Sequence, residues 1–220
     1  MNFAENVETR EAVIVTGGRL GAWALEEIRA GDYLIGADSG AEFLVRHGIA
    51  PDLALGDFDS VPADRLTSIS AASKDYLAVD PVDKDWTDTE LALREALDRG
   101  YSRIRILGGL GSRFDHSLAN VHLLRQAFER GGEAVLIDEH NEIRLCADAC
   151  RMNQDPRYPY VSLLPLTPVV TGVNLTGFRY PLNEATLTLG WSLGVSNVLD
   201  APSGTVSIRE GQVLVIRSRD

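Results

Sequence analysis

Short apolar runs alternate with segments of helical composition over about the first 140 residues. Most of the apolar runs contain Val, Ile, Leu or Tyr and stop at Gly, Asp or Thr, as strands do. They are Ala12–Thr16, Tyr33–Ala37, Leu53–Gly56, Tyr76–Asp80, Ile104–Gly108 and Ala134–Asp138. The helical segments between them are Leu20–Arg29, Gly40–His47, Thr87–Arg99 and Ser117–Arg130. This alternation predicts an α/β domain with a doubly wound, mostly parallel sheet over residues 1–140.

The pattern changes from about Asn141, after which long helical segments no longer occur. Short β-like runs are separated there by Gly, Pro, Asn and Thr: Tyr160–Leu164, Thr186–Leu189, Thr205–Ile208 and Val213–Ile216. Arg151–Pro159 is predicted to be a loop, and Asn141–Cys146 fits either the last strand of the first domain or the first strand of the second. We predict a smaller antiparallel β-sandwich or partial barrel over residues 141–220.

Charge narrows the classes of partner. The formal net charge is -11, and residues 1–150 hold 15 Lys and Arg against 27 Asp and Glu. Such a chain repels nucleic acid and anionic membranes, whereas clustered carboxylates attract divalent cations. The sequence has neither a run of ~20 apolar residues nor a signal-peptide pattern. Its two cysteines are too few for a disulfide framework. We therefore expect a cytoplasmic protein with no nucleic-acid or membrane partner.

Gly56-Asp57-Phe58-Asp59-Ser60 follows the apolar run Leu53–Leu55 directly. Two carboxylates separated by one residue at a strand end can converge on one hard cation if the backbone turns between them. Mg²⁺ commonly takes one or two carboxylates together with substrate phosphates and water. The alternative is an ordinary acidic turn in which Asp59 caps a helix.

A second acidic cluster extends from Asp83 to Glu90. Thr87 and Glu90 have the spacing of a capping box, which predicts a helix start with Asp88 in its first turn. Asp83, Asp85 and Asp88 exceed what capping requires, and Lys84 is a candidate phosphate contact. The alternative is a solvated helix start.

Gly108-Gly109-Leu110-Gly111-Ser112-Arg113 follows another apolar run and precedes a helix. Glycine lets the backbone approach a phosphate, a helix N-terminus offers unpaired N–H groups, and Arg113 adds a charged donor. A plain connecting loop is the alternative, because the segment is neither a Walker A motif nor a dinucleotide fingerprint. Acidic or glycine-rich segments also follow two other predicted strands, at Asp38-Ser39-Gly40-Ala41 and at Thr16-Gly17-Gly18-Arg19. Taken together, these junctions favour a Mg²⁺–nucleotide site.

Other residues carry weaker signals. His116 beside Asp115 lacks an accompanying nucleophile motif, so acid–base chemistry there is not favoured. Cys146 and Cys150 lack the second pair that zinc requires. Trp191 lies among glycines and serines in a segment that suits either an aromatic, polar small molecule or a turn around a buried Trp.

In this order, the motifs resemble thiamine pyrophosphokinases, which convert thiamine to thiamine diphosphate. The resemblance covers nearly the whole chain, including Pro165-Leu166-Thr167, Val170–Val173, Gly177–Leu182 and Ser196-Asn197. The Gly-Asp-Phe-Asp-Ser and Asp-x-Thr-Asp elements are its most specific parts. The sequence departs from the residues that are common in the family in three places. Ser39 stands where the family commonly has Gly, Glu42 and Phe43 stand where Asn and Arg are frequent, and Trp191 stands where small residues are common.

The resemblance implies an α/β catalytic domain, a β-sandwich domain and a homodimer whose thiamine sites are shared between subunits. It implies that Asp57, Asp59 and Asp88 hold Mg²⁺. The residues implied around ATP are Asp38, Gly40, Lys84, Thr87 and Arg113. Those implied at thiamine are Asp115 and, from the partner subunit, Ser196 and Asn197; Trp191 is a further candidate there.

The implied reaction is attack by the thiamine hydroxyl on the β-phosphorus of ATP, with release of AMP. Asp57, Asp59, Asp88 and Asp115 are the expected catalytic group, and Asp59 or Asp88 orients or deprotonates the hydroxyl. A Mg²⁺-dependent nucleotide phosphohydrolase, a nucleotide-binding sensor without catalytic activity and a structural partner protein are the alternatives.

Overall fold

The computed structural model describes residues 11–80 and 85–220. The described residues form two compact units, which divide between Ala134 and Val135. The domain boundary predicted from sequence falls after residue 140.

The described residues of the first unit form five parallel strands in the order β5-β1-β2-β3-β4. They are β1 (Glu11–Val15), β2 (Tyr33–Ala37), β3 (Leu53–Gly56), β4 (Asp75–Ala78) and β5 (Arg103–Leu107). The helices are α1 (Ala22–Glu26), α2 (Ser39–Arg46), α3 (Ala63–Ala72), α4 (Asp88–Asp98) and α5 (Phe114–Glu129). The predicted doubly wound α/β class is confirmed.

The order of the strands places a topological switch at β1. From β1 the chain builds outward through β2, β3 and β4, and it then returns to the other side of β1 with β5. In open α/β sheets, ligands bind outside the carboxyl ends of the strands at such a switch. Here Thr16 follows β1 and Gly108 follows β5, so both lie at that edge.

The centre of the sheet is apolar because helices cover it. Ala12–Val15 are fully buried, as in parallel strands that are shielded on both faces. Helix α2 approaches β2 closely, since a Cβ built on Gly36 would meet the Cα of Ala41 at 2.5 Å. The first unit therefore has the rigid layered core that can hold loops at one edge.

The second unit forms two antiparallel sheets around one apolar core. One has the order β12-β9-β14-β7-β6 and the other β11-β10-β13-β8. The strands are β6 (Glu133–Ile137), β7 (Asn141–Cys146), β8 (Ala149–Asn153), β9 (Tyr160–Pro165), β10 (Val169–Thr176), β11 (Ala185–Thr188), β12 (Asn197–Val198), β13 (Ser203–Ser207) and β14 (Val213–Ser218). Buried residues from both sheets meet in one cluster, among them Val161, Val173, Val206 and Val215. This confirms the predicted β-sandwich.

One local prediction is wrong in part, and one helix was not predicted. Arg151–Asn153 belong to β8 rather than to a loop, because they pair with β13 from Ser203 to Thr205. Helix α3 was not predicted, since its sequence is rich in Ser, Thr and Ala and buries only Ile69. Among the described helices, none has the length and apolar character that a bilayer crossing requires.

Candidate active site

A cleft of about 840 Å³ lies at the carboxyl edge of the parallel sheet. Its walls come from the segments after β1, β2, β3 and β5 and from the first turns of α4 and α5. The residues that line it are Thr16, Gly17, Gly18, Arg19, Asp38, Ser39, Asp57, Asp59, Ser60, Asp85, Trp86, Thr87, Asp88, Thr89, Gly108, Gly109, Gly111, Ser112, Arg113, His116 and Asn120. The structure therefore brings the predicted acidic and glycine-rich junctions to one place.

Three carboxylates converge at the strand ends β2 and β3. One oxygen from each of Asp38, Asp57 and Asp59 lies within 4.8 Å of the other two. We call these three residues the carboxylate group. The backbone N–H of Asp38 donates to Leu55 O at 2.9 Å, which fixes the end of β2 against β3. The two strand ends thus set the spacing of the carboxylates.

Positive φ angles turn the backbone at this group. Asp38 has φ 50° and Phe58, between Asp57 and Asp59, has φ 54°. Residues with a Cβ rarely adopt such angles, and the strain is tolerated where the surroundings enforce it. Phe58 is buried and stacks on Tyr76 with ring centroids 5.1 Å apart. Packing of the Phe58 ring therefore holds the turn that carries Asp57 and Asp59.

The carboxylate group fits a hard divalent cation. Oδ1 of Asp38 is buried without a hydrogen-bond partner in the described part of the chain, whereas its Oδ2 accepts a hydrogen bond from the Ser60 hydroxyl. A buried carboxylate oxygen without a partner is costly, and a cation removes that cost. Carboxylate oxygens are the ligands that hard divalent cations prefer.

Asp88 approaches the same region from α4. A Cβ built on Gly56 would lie 3.2 Å from Asp88 Oδ1 and 3.2 Å from Asp38 N. The sequence prediction combined Asp88 with Asp57 and Asp59. The structure brings an oxygen of Asp38 within 4.8 Å of that pair and places Asp88 beside the end of β3, in the wall of the same cleft.

Asp59 does not cap a helix. Helix α3 begins at Ala63 with Pro62 as its N-cap residue, and the backbone N–H of Asp59 itself donates to Asp57 Oδ1 at 3.1 Å. The alternative reading of this motif, in which Asp59 is a helix cap, is therefore wrong.

The predicted start of α4 at Thr87 is confirmed, and so is one of the two hydrogen bonds of a capping box; the other is not formed, because Glu90 Oε1 accepts from Arg94 and Gln126 instead. Thr87 is the N-cap residue, and the backbone N–H of Glu90 donates to its Oγ1 at 3.2 Å. Two residues later, the hydroxyls of Thr89 and Thr16 are hydrogen-bonded at 2.9 Å, and both residues are buried. This pair ties the N-terminus of α4 to the end of β1. Lys84, predicted at ATP, lies outside the described residues.

Helix α5 supports the glycine segment Gly108–Gly111. Nδ2 of the buried Asn120 donates to Gly109 O at 2.7 Å, and Gly111 N donates to the Ser117 hydroxyl at 3.0 Å. Gly108 has φ 73°, and a Cβ on Gly18 would collide with the Gly108 carbonyl oxygen. The two loops at the switch are therefore close enough to require glycine on both sides.

Gly40 lies inside the first turn of α2 and is buried there. A Cβ on Gly40 would collide with the carbonyl oxygen of Val15. It was predicted to contact ATP, but the structure places it under the cleft wall, where it allows α2 to approach β1.

Arg113 and Asp115 form an ion pair at the start of α5. Nη2 of Arg113 lies 2.7 Å from Asp115 Oδ2, and both side chains are exposed. The hydrogen bond from Arg113, aided by the backbone of His116, lowers the pKa of Asp115 below its ordinary value. Arg113 lines the cleft, whereas Asp115 is not one of the lining residues. Two residues that were predicted to contact different ligands thus form an ion pair with each other.

The three thiamine candidates of the second unit differ in accessibility. Asn197 is 4% exposed and bonds the Tyr180 backbone, accepting from its N–H at 3.1 Å and donating to its carbonyl at 2.7 Å. Ser196 has φ 58°, and Trp191 is 73% exposed. The alternative of a turn around a buried Trp191 is therefore wrong. Leu189, Leu193 and Val195 are exposed beside it in sequence.

The cleft also contains residues that were given no individual role from the sequence, although most of them lie within the predicted acidic and glycine-rich junctions. These are Thr16, Arg19, Ser60, Trp86, Thr89, His116 and Asn120. Arg113, His116 and Asn120 recur at helical spacing, so the face of α5 that lines the cleft was detectable from sequence. Nothing in the local pattern distinguishes Trp86 from a packing residue.

Comparisons with known proteins identify the family to which the chain belongs. Residues 25–136 match the family described as "Thiamin pyrophosphokinase, catalytic domain", and residues 149–213 match "Thiamin pyrophosphokinase, vitamin B1 binding domain". A curated thiamine pyrophosphokinase of Bacillus subtilis is 37% identical over 187 residues, which are 84% of this chain and 87% of that one.

Solved structures extend the likeness to the fold. The crystal structure of thiamine pyrophosphokinase from Bacillus subtilis superposes with a TM-score of 0.87 at 34% identity, covering 96% of this chain and 100% of that one. That of the Geobacillus thermodenitrificans protein gives 0.85 at 34% identity, covering 96% and 98%. On the matches to both domains and these relatives, the chain belongs to the thiamin pyrophosphokinase family.

Proposed function

We propose that the chain transfers the diphosphoryl group of ATP to the hydroxyl of thiamine, giving thiamine diphosphate and AMP. Membership of the family supports this activity. The observation that carries it is the carboxylate group facing a cleft whose other walls are glycine segments and helix N-termini. Such walls bind phosphates, and the carboxylates bind the cation that accompanies them.

We propose Mg²⁺ as that cation, held by Asp38, Asp57 and Asp59 with Asp88 nearby. When bound, Mg²⁺ neutralises charge on the triphosphate and helps to align it for displacement. Without a cation, the acidic cleft would repel ATP. Gly17 and Gly18, Thr87 and Arg113 line the remaining wall and are the proposed phosphate contacts. Lys84 stays a prediction for this role.

The protein acts on the reaction chiefly by positioning. The thiamine hydroxyl oxygen attacks the β-phosphorus, the bond from that phosphorus to the oxygen bridging to the α-phosphate breaks, and AMP leaves with this oxygen. The hydroxyl proton passes to a carboxylate, for which Asp59 and Asp88 are the candidates. Fixed strand ends reduce the entropy cost of bringing the reactants into line.

We propose that thiamine binds in a site shared between two subunits of a homodimer. Asp115 would contribute from the first unit, and Ser196 with Trp191 from the β unit of the partner. Asn197 would hold the chain at Tyr180 and Ser196 in place, which its buried hydrogen bonds support. The exposed Trp191 offers an aromatic surface for the pyrimidine ring. The cytoplasmic location stays a prediction.

One assay tests the reaction against the alternatives. The chain is incubated with Mg-ATP, with and without thiamine, and the nucleotide product is identified. AMP that forms only with thiamine supports the proposal. ADP or phosphate without thiamine would indicate a phosphohydrolase, and unchanged ATP would indicate a sensor or structural protein. The comparisons lend these alternatives no support.

A further inference from the structure

Trp86 is the one large apolar side chain among the described residues that line the cleft. The other lining residues are glycines, hydroxyl-bearing, charged or amide side chains and one histidine. Phosphates and a cation account for such a polar wall, but they do not account for an indole that stays 42% exposed at it. An exposed aromatic ring in a polar cleft indicates a planar, apolar part of a ligand.

The indole is held in place from one side. The guanidinium Cζ of Arg94 lies 4.4 Å from the ring centroid of Trp86, within the range of a cation–π contact. Arg94 is bonded in turn to Glu90 at 3.1 Å, and Glu90 accepts a hydrogen bond from Gln126 of α5 at 2.9 Å. Two helices therefore fix the orientation of the ring and leave its remaining surface to the cleft.

Trp86 also stands next to the proposed triphosphate site. It directly precedes Thr87, the N-cap of α4, and Asp88, the first residue of that helix. All three residues line the cleft, so a nucleotide whose phosphates lie at this helix N-terminus can extend its base towards the indole. From this placement we propose that Trp86, backed by Arg94, stacks on the nucleobase of the nucleoside triphosphate.

Charge favours the nucleobase over thiamine at this position. The thiazolium ring of thiamine is permanently cationic, and a guanidinium behind the indole disfavours a second cation on the other side. Adenine is neutral and stacks on an aromatic ring without that cost. The inference rests on the proposed nucleotide site and adds a residue that contributes to its affinity for the donor.

The test compares Trp86→Leu with Trp86→Phe, which keeps an aromatic face. Dissociation constants for Mg-ATP and for Mg-tripolyphosphate, which has no base, are measured by calorimetry on the full chain. We expect Trp86→Leu to weaken Mg-ATP binding about tenfold and to leave Mg-tripolyphosphate binding unchanged. Trp86→Phe should stay close to the unaltered chain. In steady-state assays, Trp86→Leu should raise KM for ATP and not for thiamine, whereas Trp191→Leu should do the reverse.

Three results would overturn the inference: unchanged Mg-ATP binding in Trp86→Leu, an equal loss of Mg-tripolyphosphate binding, or an increase confined to KM for thiamine. Failure of the proposed function would give a different set of results. If the unaltered chain binds Mg-ATP but forms no AMP with thiamine, the reaction is wrong, and the calorimetric comparison still decides the stacking. If the unaltered chain does not bind Mg-ATP, both proposals fall.

Discussion

Asp38 and Phe58 hold strained backbone angles beside the carboxylates that they position. Strain of this kind costs about 1–3 kcal/mol per residue and persists only where neighbouring contacts enforce it. At Asp38 those contacts are backbone hydrogen bonds, from its N–H to Leu55 O and from Ala41 N–H to its carbonyl, both at 2.9 Å. At Phe58 the contact is the stacking of its buried ring on Tyr76. The backbone strain thus lowers the stability of the folded chain, and it accompanies the close approach of like charges.

Removing one charge from the carboxylate group should strongly lower turnover without unfolding the chain. We expect Asp38→Asn and Asp57→Asn to lower kcat/KM by about 100-fold or more, which corresponds to about 2.7 kcal/mol of transition-state stabilisation. In EDTA, each variant should melt at or above the temperature of the unaltered chain, because like-charge repulsion falls. Asp64→Asn, in the exposed first turn of α3, is the matched control. Near-normal turnover in both variants would contradict the proposed cation site.

Cys146, in the second unit, makes the stability of the folded chain depend on pH. Burial, aided by nearby Cys150, raises the pKa of its thiol to about 11. The unfolded chain therefore loses this proton at lower pH than the folded chain does, and stability falls as pH rises from about 8.5 towards 11.

We expect the free energy of unfolding to drop by about 1–2 kcal/mol more for the unaltered chain than for Cys146→Ala between pH 7 and pH 10. Denaturant titrations at the two pH values measure the difference, and Cys150→Ala, which keeps Cys146, is the control. An equal pH dependence in the unaltered chain and in Cys146→Ala would show that this thiol titrates normally.

The roles of single residues were only partly accessible from sequence. Asp57, Asp59 and Thr87 occur in motifs whose spacing is itself informative, so their placement at the cleft was expected. The place of Asp38 in the carboxylate group depends on the register of β2 against β3. The exposure of Trp86 likewise depends on tertiary packing, which no local pattern encodes.

Helix α4 is anchored to β1 through the Thr16–Thr89 hydroxyl pair, across 73 positions of sequence. This bond fixes the helix that presents Thr87 and Asp88 to the cleft. Removing the hydroxyl of either threonine leaves the other hydroxyl buried without its partner, which costs about 1–3 kcal/mol.

A double-mutant cycle measures this coupling. We expect Thr16→Val and Thr89→Val each to lower the free energy of unfolding by about 1–3 kcal/mol, and the double variant to lose less than the sum. Thr89→Ser should retain most of the stability and of kcat, because it keeps the hydroxyl. Strictly additive losses would mean that the two hydroxyls do not act as a pair.

Elements with a strong apolar pattern were predictable, and those without one were not. The strands β1, β2, β3 and β5 appear within one residue of their predicted positions, because buried parallel strands are continuously apolar. Strand β10 was missed, since its pairing with β11 shifts between Val170 and Val173 and Gly172 there has φ 63°. A bulge breaks the two-residue alternation that identifies a strand.

Acidic charge is concentrated in the part of the chain that is proposed to bind ATP. Residues 1–150 carry 15 basic and 27 acidic residues, whereas residues 151–220 are close to neutral. Binding of the nucleotide as its magnesium complex removes part of this repulsion, and the two ligands should therefore bind cooperatively.

Thermal melts test that coupling. A ligand at 100 times its dissociation constant stabilises the native state by about 2.7 kcal/mol, which raises the melting temperature by about 5–10 °C for a chain of this length. We expect this shift with Mg-ATP and little shift with ATP in EDTA or with Mg²⁺ alone. An equal shift with ATP in EDTA would show that the cation does not mediate binding.

The glycines packed under the cleft have a consequence for deep mutational scanning. At Gly18 and Gly40 any side chain collides with a neighbouring carbonyl oxygen, so every substitution would score as deleterious even under selection for abundance alone. Asp57 should be tolerant under that selection and intolerant only when growth depends on product. Comparing the two selections would separate residues that build the edge of the sheet from residues that perform chemistry on it.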